Sequence, residues 1–139
     1  MTRLALFGGV YSNHHALAAV LRDIEGWRAD LAWCLGDAGG FGPHPDRSIE
    51  LLRAAGIPML RGNYDHSVGN DLADCQCGYT DPRDNHFAQI SYDYTLANTS
   101  PANRTWLRPI DSLTMRSDVR GDFHEPYGAV FGFDISLFL

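Results

Sequence analysis

Short apolar runs alternate along this chain with longer stretches in which apolar positions recur at helical spacing, and glycines fall at the joints. Residues 4–7 (LALF) form a run stopped by Gly8-Gly9, the pattern of a buried parallel strand. Leu17, Val20, Leu21 and Ile24 then repeat so as to draw one apolar stripe along a helix. Ser12 or Asn13 can cap that helix and Gly26 marks its end, and the stripe is expected to lie on the sheet. Residues 31–35 are a second run, broken by Gly36-Asp37 and a glycine-rich loop through Gly42. Pro43, Pro45 and Asp46 introduce a helix carrying Ile49, Leu51 and Leu52, stopped at Gly56. Residues 57–60 predict a third strand, and RGNYD follows at once.

The class is therefore α/β, in the order β-α-β-α-β with parallel strands, then helices. Right-handed crossovers put all three strand ends on one edge, where open α/β sheets bind ligands. Residues 67–86 are polar and punctuated by Gly69, Gly78 and Pro82, and read as an excursion with little regular structure. A helix resumes near Asp84 on the spacing of Phe87, Ile90 and Tyr94. Ser100-Pro101 caps a short helix with Trp106 and Leu107, limited by Pro109. After Met115 the period is lost, and residues 131–139 alternate Phe131, Phe133, Ile135, Leu137 and Leu139. Residues 1–115 are expected to be one α/β domain, and residues 116–139 a divergent tail, truncated or frame-shifted.

Composition narrows the function classes. The 139 residues suit one domain. A formal net charge of -6 leaves no basic excess for a nucleic-acid backbone. No apolar run approaches the ~18 residues of a membrane span and no export signal opens the chain, so the expected address is the cytoplasm. Three cysteines, Cys34, Cys75 and Cys77, predict no disulfide framework, and Cys75-Gln76-Cys77 reads as a reduced pair in a surface loop or, with Asp84 and His86 nearby, as a zinc site whose one-residue gap between thiols is not the usual spacing.

The strand ends carry FGGVYSN (7–13), LGDAGGFGPHPD (35–46) and RGNYDHS (61–67). Taken alone, Asp37 and Asn63 are a hard-donor pair at neighbouring strand mouths, suited to a divalent cation, or else simple turn formers. Together, the strand, G-D, GxGPxP, a helix with ELL, a strand and GN-x-D resemble the calcineurin-like metallophosphoesterases over roughly residues 3–115, especially the small prokaryotic branch similar to diadenosine tetraphosphatases and phosphodiesterases. The resemblance implies the first half of a metallophosphoesterase-type α/β sandwich. It also implies two divalent ions (manganese, iron or zinc) at the sheet edge and hydrolysis of a small phosphoester or nucleotide. Asp37 matches the bridging aspartate, Asn63 the asparagine ligand of the second ion, and Asp65 the acid that orients a neighbouring histidine. Tyr64 stands where that histidine steadies the leaving oxygen.

The departures from the family pattern bear on the same chemistry. Gly9 and Tyr11 stand where the first motif has its aspartate and histidine, and the later G-H-x-H is absent from the sequence. Two dications ~3.5 Å apart repel by about 19 kcal/mol at an effective dielectric near 20, which one carboxylate and an amide offset poorly. A rival expectation is a non-catalytic module that binds a nucleotide or a partner protein, with phosphate cradled by amides near Gly8, Gly9 and Asn13 at the following helix N-terminus. A third is a fragment that needs its other half to fold. His14, His15, His44 and His66 read as ordinary solvent-facing histidines or as substitute ligands, His66 the better placed of the two loop histidines. Asp122, His124 and Glu125 form a weaker D-x-H match.

Overall fold

Residues 3–111 are described by the computed structural model. The elements run β1 (Leu4–Phe7), α1 (His14–Trp27), β2 (Leu31–Cys34), α2 (Pro45–Ala55), α3 (Asn63–Gly69), α4 (Pro82–Ala97) and α5 (Pro101–Leu107). β1 and β2 pair in parallel, Leu4 with Leu31 through Phe7 with Cys34, as a right-handed β-α-β unit requires.

The third strand contracts to one parallel bridge, Cys34 with Met59. Cys34 N donates to Pro58 O at 2.9 Å and Leu60 N to Cys34 O at 2.8 Å. One pair earlier, the ladder would need an amide hydrogen from Pro58, which proline lacks. The chain still delivers residues 60–63 to the same edge as the ends of β1 and β2.

The sheet is covered on one face among the described residues. Cys34 is fully buried and Phe7 packs on the core with Leu17, Ile49, Leu52 and Met59. Leu4, Leu6, Leu31 and Leu35 point the other way and are 38% to 47% exposed. The expectation of a strand buried on both sides holds for one side here.

Helix termini follow the sequence closely. Asn13 Oδ1 accepts from Ala16 N at 3.0 Å, which settles the cap of α1. That helix runs one residue past Gly26 and closes on Arg28 in the left-handed region. α2 ends on Gly56 at φ 64, the usual left-handed stop. Ser100 Oγ accepts from Asn103 N and opens α5. Asp46 Oδ1 takes Ser100 N at 2.7 Å and Asn103 Nδ2 at 2.8 Å, while Arg53 donates to Asn103 Oδ1 at 2.6 Å. That network ties α2 to α5.

Three expectations need correction. The stretch read as irregular holds the second half of α3 and the start of α4, so only residues 70–81 are irregular. α4 exists as expected but turns its other face inward. Ala88, Tyr92 and Thr95 are buried, whereas Phe87, Ile90 and Tyr94 are 57%, 52% and 46% exposed. Tyr92 supplies the reason: its ring fills the core and its hydroxyl donates to Leu72 O at 2.7 Å, a combination no aliphatic residue offers. Finally, Cys75 and Cys77 form a disulfide, with Cα atoms 5.2 Å apart. Gln76 between them adopts φ 53, which swings both side chains to one side of the loop. The tail expectations at residues 116–139, with Asp122, His124 and Glu125, lie outside the described residues. No helix among the described residues is long and apolar enough to cross a membrane.

Candidate functional site at the sheet edge

The loops after β1 and β2 are knitted together by their backbones. Gly9 N donates to Gly36 O at 3.1 Å, Tyr11 N to Asp37 O at 3.1 Å and Ser12 N to Ala38 O at 2.9 Å. Holding this geometry costs strain: Tyr11, Ser12 and Asp37 have φ of 48, 59 and 55, left-handed values that ordinary residues avoid. Such strain concentrates where a fold commits a side chain to a fixed direction. Gly36 at φ 105 is needed for another reason, because a Cβ there would stand 2.6 Å from Gly62 N.

Asp65 is the staple of the edge. It is buried, and its Oδ2 accepts from Asp37 N at 2.7 Å and Gly62 N at 2.9 Å while Oδ1 accepts from Ala38 N at 3.0 Å. Burial pushes its carboxyl up to about 6, against the pull of those amides. All its described partners are backbone amides, so it fixes the loops after β2 and residue 60 to each other.

Asp37 stands at the centre. Its Oδ1 accepts from Tyr64 N at 3.2 Å, and burial raises its carboxyl against that one hydrogen bond. Gly62 packs directly on this carboxylate, and a Cβ at position 62 would overlap Asp37 Oδ1. Asn63 points Nδ2 at Cys75 O, 2.7 Å away, and at Cys77 Sγ, 3.6 Å away. Asp37, Asn63, Tyr64, Cys77, Tyr11 and Tyr79 meet around a cavity of about 100 Å³. Phe41 caps it, its ring centroid 5.5 Å from Tyr11 and 5.4 Å from Tyr64.

Tyr64 is fully buried and its hydroxyl donates to Ser91 Oγ at 3.3 Å, with burial raising the phenol further above neutrality. Among the described residues no group of three or more His, Cys, Asp or Glu side chains is arranged to hold a metal ion. The donor set at this edge does not fit a pair of dications: Asp37 and Asn63 are present, and four aromatic rings and the disulfide-bonded Cys77 make up the rest of the lining.

A larger cavity of about 470 Å³ lies on the other side of Tyr11, lined by Gly8, Gly9, Val10, Asn13, Phe41 and Pro43 among others. The amides of Gly9, Tyr11, Ser12 and Asn13 already donate to backbone carbonyls, and Asn13 spends its side chain capping α1. At the head of α1 three imidazoles gather. The His14 ring is 3.9 Å from His15 and 4.7 Å from His44 between centroids. His44 arrives there because its amide donates to Ser12 O at 3.2 Å, a tertiary contact without a sequence signature. Desolvation lowers the His14 pKa, with His15, His44 and Arg47 adding like-charge repulsion, and its Nδ1 is buried without a partner. His66 is not among the residues around either cavity; its Nδ1 lies 3.2 Å from Asn70 Nδ2 one turn further along.

Comparison with known proteins agrees with the architecture. No family profile matches the chain. An uncharacterized protein of Methanocaldococcus jannaschii is 37% identical over 65 residues, which are 47% of this chain and 27% of that protein. The crystal structure of a metallophosphoesterase from Sphaerobacter thermophilus superposes with a TM-score of 0.61 at 27% identity, covering 84% of this chain and 44% of that one. The chain thus spans less than half the length of the proteins it matches, and its fold is the first half of a metallophosphoesterase fold.

Proposed function

We propose that this chain binds a small phosphoester or nucleotide at the head of α1, on a metallophosphoesterase-type fold that works without a hydrolytic metal pair. The observation that carries the reading is the grouping of His14, His15, His44 and Arg47 at the head of α1, whose cap Asn13 lines the 470 Å³ cavity together with Phe41 and Pro43. A helix N-terminus attracts anions through its first-turn amides and its dipole, the Arg47 guanidinium adds to that field, and an incoming anion would relieve the repulsion that disfavours the charged form of His14. An aromatic wall suits a nucleobase or an aryl ester.

Isothermal titration with adenosine monophosphate at low ionic strength tests it. Binding is expected to weaken at least tenfold in Arg47→Ala combined with His44→Ala, with the circular dichroism unchanged. Absence of binding, or an affinity indifferent to both substitutions, rejects the reading.

Hydrolysis is the second reading, and the convergence of Asp37 and Asn63 on one cavity favours it. There Asp37 would bridge metal, Asn63 would ligate, Tyr64 would assist the leaving oxygen and Asp65 would orient it. Tyr64 would first have to turn its hydroxyl away from Ser91. Manganese-dependent cleavage of bis-p-nitrophenyl phosphate, lost in Asp37→Ala, would favour this reading over the first.

A further inference from the structure

We propose that the small cavity at the sheet edge binds a methylated ammonium group, held among the rings of Tyr11, Phe41, Tyr64 and Tyr79 with the Asp37 carboxylate as its counter-charge.

The rings stand as walls. Phe41 meets Tyr11 at an interplanar angle of 71° and Tyr64 at 58°, so these rings are inclined around the cavity they line and not stacked flat on one another. Each wall is fixed from outside. Tyr11 is held in its left-handed conformation by the bond from its amide to Asp37 O, and its ring lies over Gly9, where a Cβ would stand 2.7 Å from the ring edge. Tyr64 spends its hydroxyl on Ser91 Oγ and lends the cavity its ring. The loop of Phe41 is pinned where the Tyr94 hydroxyl donates to Pro43 O at 2.9 Å, and that of Tyr79 where Asn85 Nδ2 donates to Tyr79 O at 2.8 Å. Tyr64 is buried, whereas Tyr11, Phe41 and Tyr79 are exposed, so a ligand reaches the cavity from their side.

Chemistry selects the ligand. The face of an aromatic ring is the negative end of its quadrupole and attracts a cation, most strongly where water is excluded. A metal dication needs lone pairs to replace its bound water, and this lining offers few. A methylated ammonium spreads one positive charge over methyl groups that pack on rings as hydrocarbon does. One carboxylate balances that charge, and Asp37 supplies it. No arginine or histidine is among the described residues that line the cavity, so no side chain there competes for the acid. The cavity of about 100 Å³ equals the liquid volume of roughly three waters, room for a compact trimethylammonium head and too little for a nucleotide. The net charge of -6 draws cations towards the surface as a whole.

The site lies across Tyr11 from the phosphoester reading and is tested without it. Isothermal titration of the full chain with choline is expected to show one saturable site. The neutral carbon analogue of choline, with tert-butyl in place of trimethylammonium, keeps the shape, lacks the charge and should bind about tenfold more weakly. That comparison needs no variant. Asp37→Asn, and Tyr79→Leu combined with Phe41→Leu, should each weaken choline binding about tenfold with the circular dichroism unchanged. A trimethyllysine peptide titrated in parallel identifies the source. Tighter binding of choline assigns the site to a small molecule, tighter binding of the peptide to a methylated protein tail, and either order upholds it. No saturable choline binding, equal affinity for the neutral analogue, or an affinity indifferent to the Asp37 and ring substitutions overturns the proposal.

Discussion

Asp65 shows what a single buried carboxylate does at this edge. It accepts three backbone amides from two loops, so Asp65→Asn turns one acceptor into a donor facing an amide and should cost about 1–3 kcal/mol. Its folded-state pKa, about 6, lies above the 3.8 of the unfolded chain, so between those values the folded state holds the extra proton. The stability from that proton is complete below pH ~3.8 and is lost as the pH rises through about 6. The stability gap between wild type and Asp65→Asn should therefore shrink by about 2 kcal/mol from pH 4.5 to pH 7.5, measured by urea unfolding. A gap independent of pH would show that the carboxyl titrates normally. Gly62→Ala, which drives a methyl into Asp37, should cost about 1–3 kcal/mol in the same measurement. Asp37 was legible in the sequence because Gly36 precedes it at a strand end, whereas Asp65, inside α3, stood out only through the resemblance of GN-x-D to a family motif. The gathering of His44 with His14 and His15 was not, since residues thirty positions apart meet only through tertiary packing.

At the level of elements, punctuation was easier to read than direction. Caps at Asn13, Ser100 and Gly56 follow from local chemistry, and each appears where the sequence put it. Ser100→Ala should lower stability by about 1 kcal/mol through the lost cap. The third strand was overread because an apolar run says nothing of whether Pro58 can join a ladder. For α4, apolar residues ring the helix, so spacing alone could not choose the buried side. The structure predicts that Tyr92→Phe, which orphans Leu72 O, costs about 1 kcal/mol, while Phe87→Ser and Ile90→Ser each change stability by under about 0.5 kcal/mol. Chemical denaturation of the three variants separates the two faces. Larger losses in Phe87→Ser and Ile90→Ser than in Tyr92→Phe would mean that α4 packs the other way round.

Among the described residues, the sheet has one covered face and one open face, Leu4, Leu6, Leu31 and Leu35, in a chain that spans 44% of its structural neighbour. Contiguous apolar surface of this kind binds amphiphilic dyes. The folded chain should enhance anilinonaphthalene sulfonate fluorescence at neutral pH, and Leu6→Asn with Leu35→Asn should reduce it; no enhancement would mean that the face is covered in solution. The central claim concerns the edge above that sheet, where Asp37 and Asn63 meet and Tyr11, Phe41, Tyr64, Tyr79 and Cys77 complete the lining of the small cavity. It is tested most directly by counting manganese ions on the oxidised chain by equilibrium dialysis and elemental analysis. The arrangement described predicts no saturable binding of two ions per chain, and two tightly held manganese ions per chain would contradict it.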